Sequence, residues 1–282
     1  MKYLIVDAFS EVAFGGNPAG VVLLEKNQDF PQDEQMRQVA AEFRYSETAF
    51  VQRHSETEFT VRYFTPAAEV DLCGHATIAT FGAMHQLGMI ARGTECLNHT
   101  LAGDLRVKVG PKVMMEMATP QVLPATVDVE RLHRIMGVTG DINLPVQVVS
   151  TGLPDIMMPV ASVDELNALT PDMDALAQIS KELGVTGVHA FAIGNDDYTA
   201  HVRNFGPLYG IPEESATGTA NAALTHYLHH NDLLKGATEC RFLQGETMGR
   251  PSVVSTRLEP DGSIWAGGNI AIVAEGNLYP IF

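Results

Sequence analysis

The sequence predicts an α+β protein in which one fold occurs twice, as two pseudo-twofold-related domains that each wrap a β-sheet around a central helix. Three observations carry that prediction. Val61, Arg62, Phe64 and Pro66 recur as Val202, Arg203, Phe205 and Pro207, so a V-R-x-F-x-P strand returns at an offset of 141 residues. Each copy then runs through a polar loop to a glycine, Gly74 or Gly218, that opens an Ala-rich helix. Beyond the glycines Ala76 matches Ala220, Ala79 matches Ala223, Met84 matches Leu228 and His85 matches His229, the second loop being three residues longer. Finally, the helix from Gly74 carries Ala76, Ile78, Ala79, Phe81, Gly82 and Ala83, apolar almost all round. A surface helix shows one apolar stripe, whereas a helix without a polar face is enclosed.

In chain order, residues 3–9 and 20–24 read as strands about the turn Gly15, Gly16, Asn17, Pro18. No helix follows that turn directly, so it is structural and not a phosphate loop. Residues 33–43 place Met36, Val39, Ala40 and Phe43 at helical spacing, with acidic residues in the first turn. Strands follow at 49–51 and 59–64, then the central helix over 74–87, a hairpin over 97–109 and a strand at 113–117. Residues 120–144, with Pro120, Pro124 and Pro145 about a short helix at 129–136, read as the boundary. Beyond it the first half replays: Met36, Gln38, Val39, Glu42 and Phe43 return as Leu176, Gln178, Ile179, Glu182 and Leu183, and Ala49 and Phe50 as Ala190 and Phe191. Matches in successive elements and in the same order predict duplication. The expected domains are 1–122 and 145–282 joined by a connector at 123–144, with an exchange of strands at the termini left open.

Composition narrows the partners. The chain has 282 residues, is 45% hydrophobic and carries a net charge of -16 with only 18 Lys and Arg. That balance excludes nucleic acid and anionic membranes, which select for clustered basic residues. No apolar run has the length of a membrane span, and residues 1–9 lack the zones of a signal peptide. Cys73, Cys96 and Cys240 are odd in number and show no C-x-x-C spacing. The expected location is a reducing cytoplasm. A homodimer is left open.

Two similar domains are expected to face each other across a cleft, and ligands favour such places. Helix N-termini supply N–H donors and partial positive charge, so helix starts at Gly74 and Gly218 suit a small carboxylate without any Lys or Arg. The halves differ where it matters: Ser46, Glu47 and Thr48 align with Gly187, Val188 and His189. Glu47 has no acidic counterpart, the pattern expected of one carboxyl doing proton chemistry; spacing alone equally allows a solvated loop glutamate. His75, in the first turn of its helix, is either a ligand donor or a capping histidine. Glu213 and Glu214 suit the helix dipole. Cys73 aligns with Thr217, so a symmetric two-thiol mechanism is not available. His226, His229 and His230 crowd one helix end without carboxylates or cysteines at ligand spacing, and no metal site is expected.

The runs GGNPAGVV, SETAFV, YFTPAAEVDLCGHAT, STG, VRNFGPLYGIPEESATGTA and GRPS together resemble the PhzF-like phenazine-biosynthesis proteins along nearly the whole chain. That resemblance implies the diaminopimelate-epimerase fold, two similar domains each with a curved mixed sheet around a central helix. It also implies cofactor-free isomerisation, as in the conversion of trans-2,3-dihydro-3-hydroxyanthranilate, with Glu47 taking a proton from one carbon and returning it to another. By the same resemblance Ser46, Gly74, His75, Gly218 and Thr219 hold the substrate carboxylate, and Glu214 contacts the substrate. The family's E-D-P-A-T-G-S segment reads E-E-S-A-T-G-T here, so its aspartate is Glu214 and its serine Thr219.

The leading expectation is therefore a cofactor-independent isomerase of a small cyclic or unsaturated carboxylic acid with Glu47 as its acid and base. A small-carboxylate binding or regulatory protein, and an amino-acid epimerase or racemase, are the alternatives.

Overall fold

Strand β1 (Lys2–Ala8) pairs antiparallel with β2 (Asn17–Leu23). Helix α1 (Asp33–Phe43) then carries the chain to β3 (Thr48–Arg53), which lies parallel to β2. β4 (Glu58–Phe64) turns back antiparallel on β3, and β5 (Glu69–Val70) is a short addition. Helix α2 (Gly74–Gln86) crosses to β6 (Thr94–Thr100), parallel to β4, and β7 (Gly103–Val109) and β8 (Val113–Glu116) finish as a meander. These assignments come from a computed structural model that describes residues 1–279 apart from Asn27, Asp141 and Asn195.

The same order returns after β9 (Gln121–Leu123) and α3 (Val129–Met136). β10 (Gln147–Ser150) and β11 (Pro154–Pro159) are antiparallel, and helices α4 (Val163–Ala168) and α5 (Met173–Leu183) lead to β12 (Gly187–Ile193), parallel to β11. β13 (Ala200–Gly206) turns back on β12, followed by the short β14 (Ile211–Glu214). Helix α6 (Gly218–His230) crosses to β15 (Glu239–Gln244), parallel to β13, and β16 (Ser252–Leu258) pairs with β15. β17 (Ile264–Gly268) and β18 (Ile270–Asn277) end the chain. Mixed strands with a helix crossing at the same step in each half make this the α+β arrangement that the repeat predicts.

Two units result, residues 1–116 with 267–282, and residues 117–266. Their limits differ from a division into 1–122, 123–144 and 145–282 at both ends. Residues 121–123 pair with β10, and Leu132 and Met136 of α3 sit in the core of the second unit beside Val148, Leu176 and Val188. Apolar burial therefore draws residues 123–144, read from their prolines as a connector, into a domain. The last strand, β18, lies antiparallel on β1 with Lys2 opposite Asn277 and Ala8 opposite Ile270. It occupies beside β1 the place that β9 takes beside β10. In both cases an otherwise open strand edge is covered.

The V-R-x-F repeat has a physical basis. Arg62 and Phe64, two apart on β4, share a face, and the guanidinium lies 5.2 Å from the ring centroid while donating two bonds to Glu69 (2.7 and 2.6 Å). Arg203 lies 4.9 Å from Phe205 and donates to Glu213 at 2.8 Å through both nitrogens. Each guanidinium thus joins a strand to the loop before a central helix, stacked and bidentate in the way a lysine is not.

Both central helices are enclosed. α2 is buried continuously from His75 to Met84 and packs on β1, β2, β3, β7, β8 and β18; α6 packs on β9, β10, β11 and β16. Among the described residues no helix is long and apolar enough to cross a membrane.

Gly82 sets the approach of β18 to α2. A Cβ there would stand 2.5 Å from Cγ1 and 3.3 Å from Cβ of Ile270. Gly82→Ala in an ordinary helix would gain about 1 kcal/mol. Here overpacking should outweigh that gain and lower stability by about 1–3 kcal/mol in urea unfolding. In an Ile270→Ala background the loss should shrink by at least half; an equal loss in both backgrounds would show that β18 does not set the contact.

Candidate active site

Glu47 sits in the short loop between α1 and β3. α1 ends at Arg44 in the left-handed conformation (φ 60°), and the Glu47 carbonyl accepts from the Gly20 N–H of β2 at 3.2 Å. Gly20 has no side chain because a Cβ would press on Phe43 and Thr48, at 2.7 and 2.8 Å. The loop is thereby held against β2, and the Glu47 side chain stays 16% exposed.

Its neighbour is the start of α2. His75, the second helical residue, places Nε2 3.4 Å from Glu47 Oε2 and 3.4 Å from Ser46 Oγ. Cys73, at the N-cap, places Sγ 3.4 Å from His75 Nδ1 and 3.8 Å from Nε2. Ser46, Glu47 and His75, all expected at the site, are thus brought together, and Gly74 lies between Cys73 and His75. These separations are long for hydrogen bonds, as is common before a substrate draws catalytic groups together. The Cys73 side chain forms no cap hydrogen bond to the helix, so the leading turn keeps the dipole and donor geometry suited to an anion.

Beneath that start lies a buried polar layer. Thr77 Oγ1 donates to the Cys73 carbonyl at 2.7 Å and meets Tyr63 Oη at 2.6 Å, and Asn98 Nδ2 donates to Tyr63 Oη at 3.0 Å. Burial pushes the Tyr63 phenol up, so it stays protonated and acts as a fixed hydroxyl.

In the second unit the expected binding residues gather at the start of α6. Thr217, the N-cap, donates from Oγ1 to Glu214 Oε2 at 2.6 Å, and Gln244 Nε2 donates to the Glu214 carbonyl at 2.8 Å. The carbonyl of Thr219 accepts from Thr151 Oγ1 at 2.9 Å, which ties the S-T-G turn to the first turn of α6; Gly218 is buried beside it. Glu213, by contrast, faces Arg203 and holds the strand. Here the polar layer is His189, Asn204, Asn221 and Gln244: Asn221 Nδ2 donates to Gln244 Oε1 at 2.8 Å, and His189 lies 3.3 Å from both asparagines. Burial lowers the His189 pKa to about 3, so the ring is neutral, with Nε2–H toward Asn221 Oδ1 and Nδ1 toward Asn204 Nδ2.

One residue escaped sequence reasoning. Asp155, at the head of the apolar strand β11, is 2% exposed, and its Oδ1 has no hydrogen-bond partner among the described residues. Burial, then the charge of Glu214, raise its pKa to about 7 against a bond from the Gly187 N–H. The only signal for it was an acid directly preceding the apolar run I-M-M-P-V.

A family described as phenazine biosynthesis-like protein, PhzC-PhzF, matches residues 6–276. The chain is 32% identical to an uncharacterized isomerase, YfhB, of Bacillus subtilis over 98% of this chain and 94% of that protein. It is 28% identical to a trans-2,3-dihydro-3-hydroxyanthranilate isomerase of Pseudomonas fluorescens over 92% of this chain and 90% of that one. A PhzF-family structure from Bacillus anthracis superposes with a TM-score of 0.87 at 25% identity, covering 99% of both chains. A hydroxyproline epimerase from Agrobacterium vitis, at 15% identity and a TM-score of 0.61 over 98% of this chain and 91% of that one, shares the fold.

Asp155 makes stability depend on pH. A carboxyl whose folded pKa lies above its ordinary 3.8 stabilises the fold fully below pH 4, and that contribution is lost as pH rises to about 7. Between pH 5 and 8 the loss is on the order of 3 kcal/mol. Asp155→Asn should therefore gain stability over the parent as pH rises through that window, read as a difference in Tm that grows to pH 7 and then levels. A difference independent of pH would mean that Asp155 ionises normally. Together the whole-chain match, the shared fold and the Glu47 and His75 arrangement lead to one conclusion: the chain belongs to the PhzC-PhzF family of phenazine biosynthesis-like proteins.

Proposed function

We propose that the protein is a cofactor-independent isomerase that moves a proton, and with it a double bond, within a small cyclic or unsaturated carboxylic acid, working in the cytoplasm. The observation that carries this reading is the pairing of the Glu47 carboxylate with the His75 imidazole, at 3.4 Å, beside a helix start suited to an anion. The names of the B. subtilis and P. fluorescens relatives support an isomerase.

In this reading the N–H groups at the start of α2, with Ser46 and His75, bind the substrate carboxylate and orient the acidic carbon toward Glu47. Glu47 removes the proton as a carboxylate and, as the acid so formed, returns it to another carbon of the same molecule. No net proton is exchanged with a second base. His75 donates to the substrate oxygen on which charge develops. Gly218, Thr219 and Glu214 are assigned to substrate binding as well, on the strength of the family motif. Glu214 is one methylene longer than the aspartate of that motif, so the substrate accepted is expected to differ from the phenazine precursor.

Amino-acid epimerisation by two thiols is the weaker reading. The counterpart of Cys73 is Thr217, whose hydroxyl is already engaged with Glu214 at 2.6 Å.

Small unsaturated and cyclic carboxylic acids should be incubated with the enzyme in heavy water and followed by NMR. Turnover of an accepted acid should give an isomer that carries deuterium at carbon to the extent that the Glu47 proton exchanges with solvent before its return, and Glu47→Gln should reduce the rate of conversion by about 10²–10⁴-fold. An undiminished rate in that variant removes Glu47 from the mechanism. Acids that bind, seen as a raised Tm, yet are never converted would instead favour a carboxylate-binding protein.

A further inference from the structure

We infer that Glu47, Cys73 and His75 form a binding site for one Zn²⁺ ion. One ligand atom from each of the three lies within 4.8 Å of the other two. Cys73 Sγ stands 3.8 Å from His75 Nε2, and that nitrogen stands 3.4 Å from Glu47 Oε2. A tetrahedral zinc with bonds of about 2.3 Å to sulfur and about 2.0–2.1 Å to nitrogen and oxygen has ligand-to-ligand edges of roughly 3.3–3.6 Å. Two of the three edges are therefore within a few tenths of an ångström of that geometry, and the third, from Glu47 to Cys73, is no longer than 4.8 Å and closes by side-chain rotation.

The donor set selects the metal. A thiolate, an imidazole and a carboxylate suit zinc, whereas magnesium and calcium take all-oxygen sites. Three protein ligands leave a fourth position for water, the open form of a zinc site. The start of α2 carries partial positive charge, which opposes a cation. Two anionic ligands offset this: the Cys73 thiol releases its proton to solvent when sulfur binds, and thiolate with carboxylate balances the 2+ charge. The site belongs to the first unit alone, because Thr217 stands where the second would need a sulfur.

Glu47 and Cys73 come from a loop and a helix cap 26 residues apart, which is why no spacing in the chain announced the site. Its consequence rests on the isomerase reading given above: a carboxylate whose charge is shared with zinc is a much weaker base toward a carbon-bound proton, so zinc inhibits turnover reversibly.

The binding itself is tested without turnover. The full chain, freed of metal with a chelator, is titrated with Co²⁺ and then with Zn²⁺. One equivalent of Co²⁺ should produce a thiolate-to-cobalt charge-transfer band that Zn²⁺ abolishes by displacement. The band should be absent in Cys73→Ser, and Co²⁺ affinity should fall at least tenfold in Glu47→Gln. The His226 and His230 rings, 6.1 Å apart on α6, offer no sulfur and cannot produce the band. A wild-type protein without the band, a band that survives Cys73→Ser, or unchanged affinity in Glu47→Gln overturns the site. Tight zinc binding that leaves conversion of a substrate unaffected would uphold the site and count against Glu47 as the base.

Discussion

The constraint on which the rest depends is the enclosure of a helix that has no polar face. α2 buries every residue from His75 to Met84, so sheet must surround it, and Gly82 lets the last strand come close enough to complete the wrapping. A helix walled in this way satisfies its own backbone except in its first and last turns. Its start is then the one place where donors, dipole and side chains meet without competing secondary structure. Ser46 and Glu47 belong to the loop that Gly20 holds beside that start.

Both units meet a second problem created by that enclosure, which is that polar groups near the helix start lie inside an apolar shell. Leaving one without a partner costs about 1–3 kcal/mol. Equivalent positions carry different residues: Thr48 and Tyr63 in one unit, His189 and Asn204 in the other, each pair 141 residues apart. The first unit links its layer through the Tyr63 hydroxyl while Thr48 Oγ1 and Asn98 Oδ1 have no hydrogen-bond partner among the described residues; the second links its layer through a neutral His189 between two asparagines. The layer has been rebuilt while the strand order and the Arg-Phe-Glu clamp have been kept. The scaffold is held by burial and by the guanidinium pairs, and the groups above it are free to diverge.

That divergence explains why family membership and activity are separate questions. Proline-type epimerases share this fold, yet the residue that matches Cys73 in the repeat is a threonine committed to Glu214. A single carboxylate beside an imidazole suits the return of a proton within one molecule, whereas two opposed thiols suit inversion at one carbon. The proposed chemistry follows the side chains; the fold supplies only their placement.

Much of this was legible in the chain. The repeated V-R-x-F-x-P, the apolar helices and their glycine starts determined the duplication, the α+β class, the limits of α1, α3 and the beginnings of α2 and α6, because these are local patterns of burial and period. Ser46, Glu47 and His75 were expected together, Glu47 from the asymmetry of the halves, His75 from its place in the first turn of α2 and Ser46 from the family motif, and folding brings their side chains close. Tertiary structure decided what depends on contacts between residues distant in sequence. Ile270 and its strand join the first unit because β1 had an edge to cover, an exchange of strands at the termini that the sequence left open. Leu132 and Met136 join the second because they are apolar and its core has room for them, although their prolines marked a linker. Asp155 left only the faint mark of an acid before an apolar run, for the same reason. Its unusual acidity arises from the strands that bury it and from the charge of Glu214, 59 residues away, and no neighbour in sequence records either.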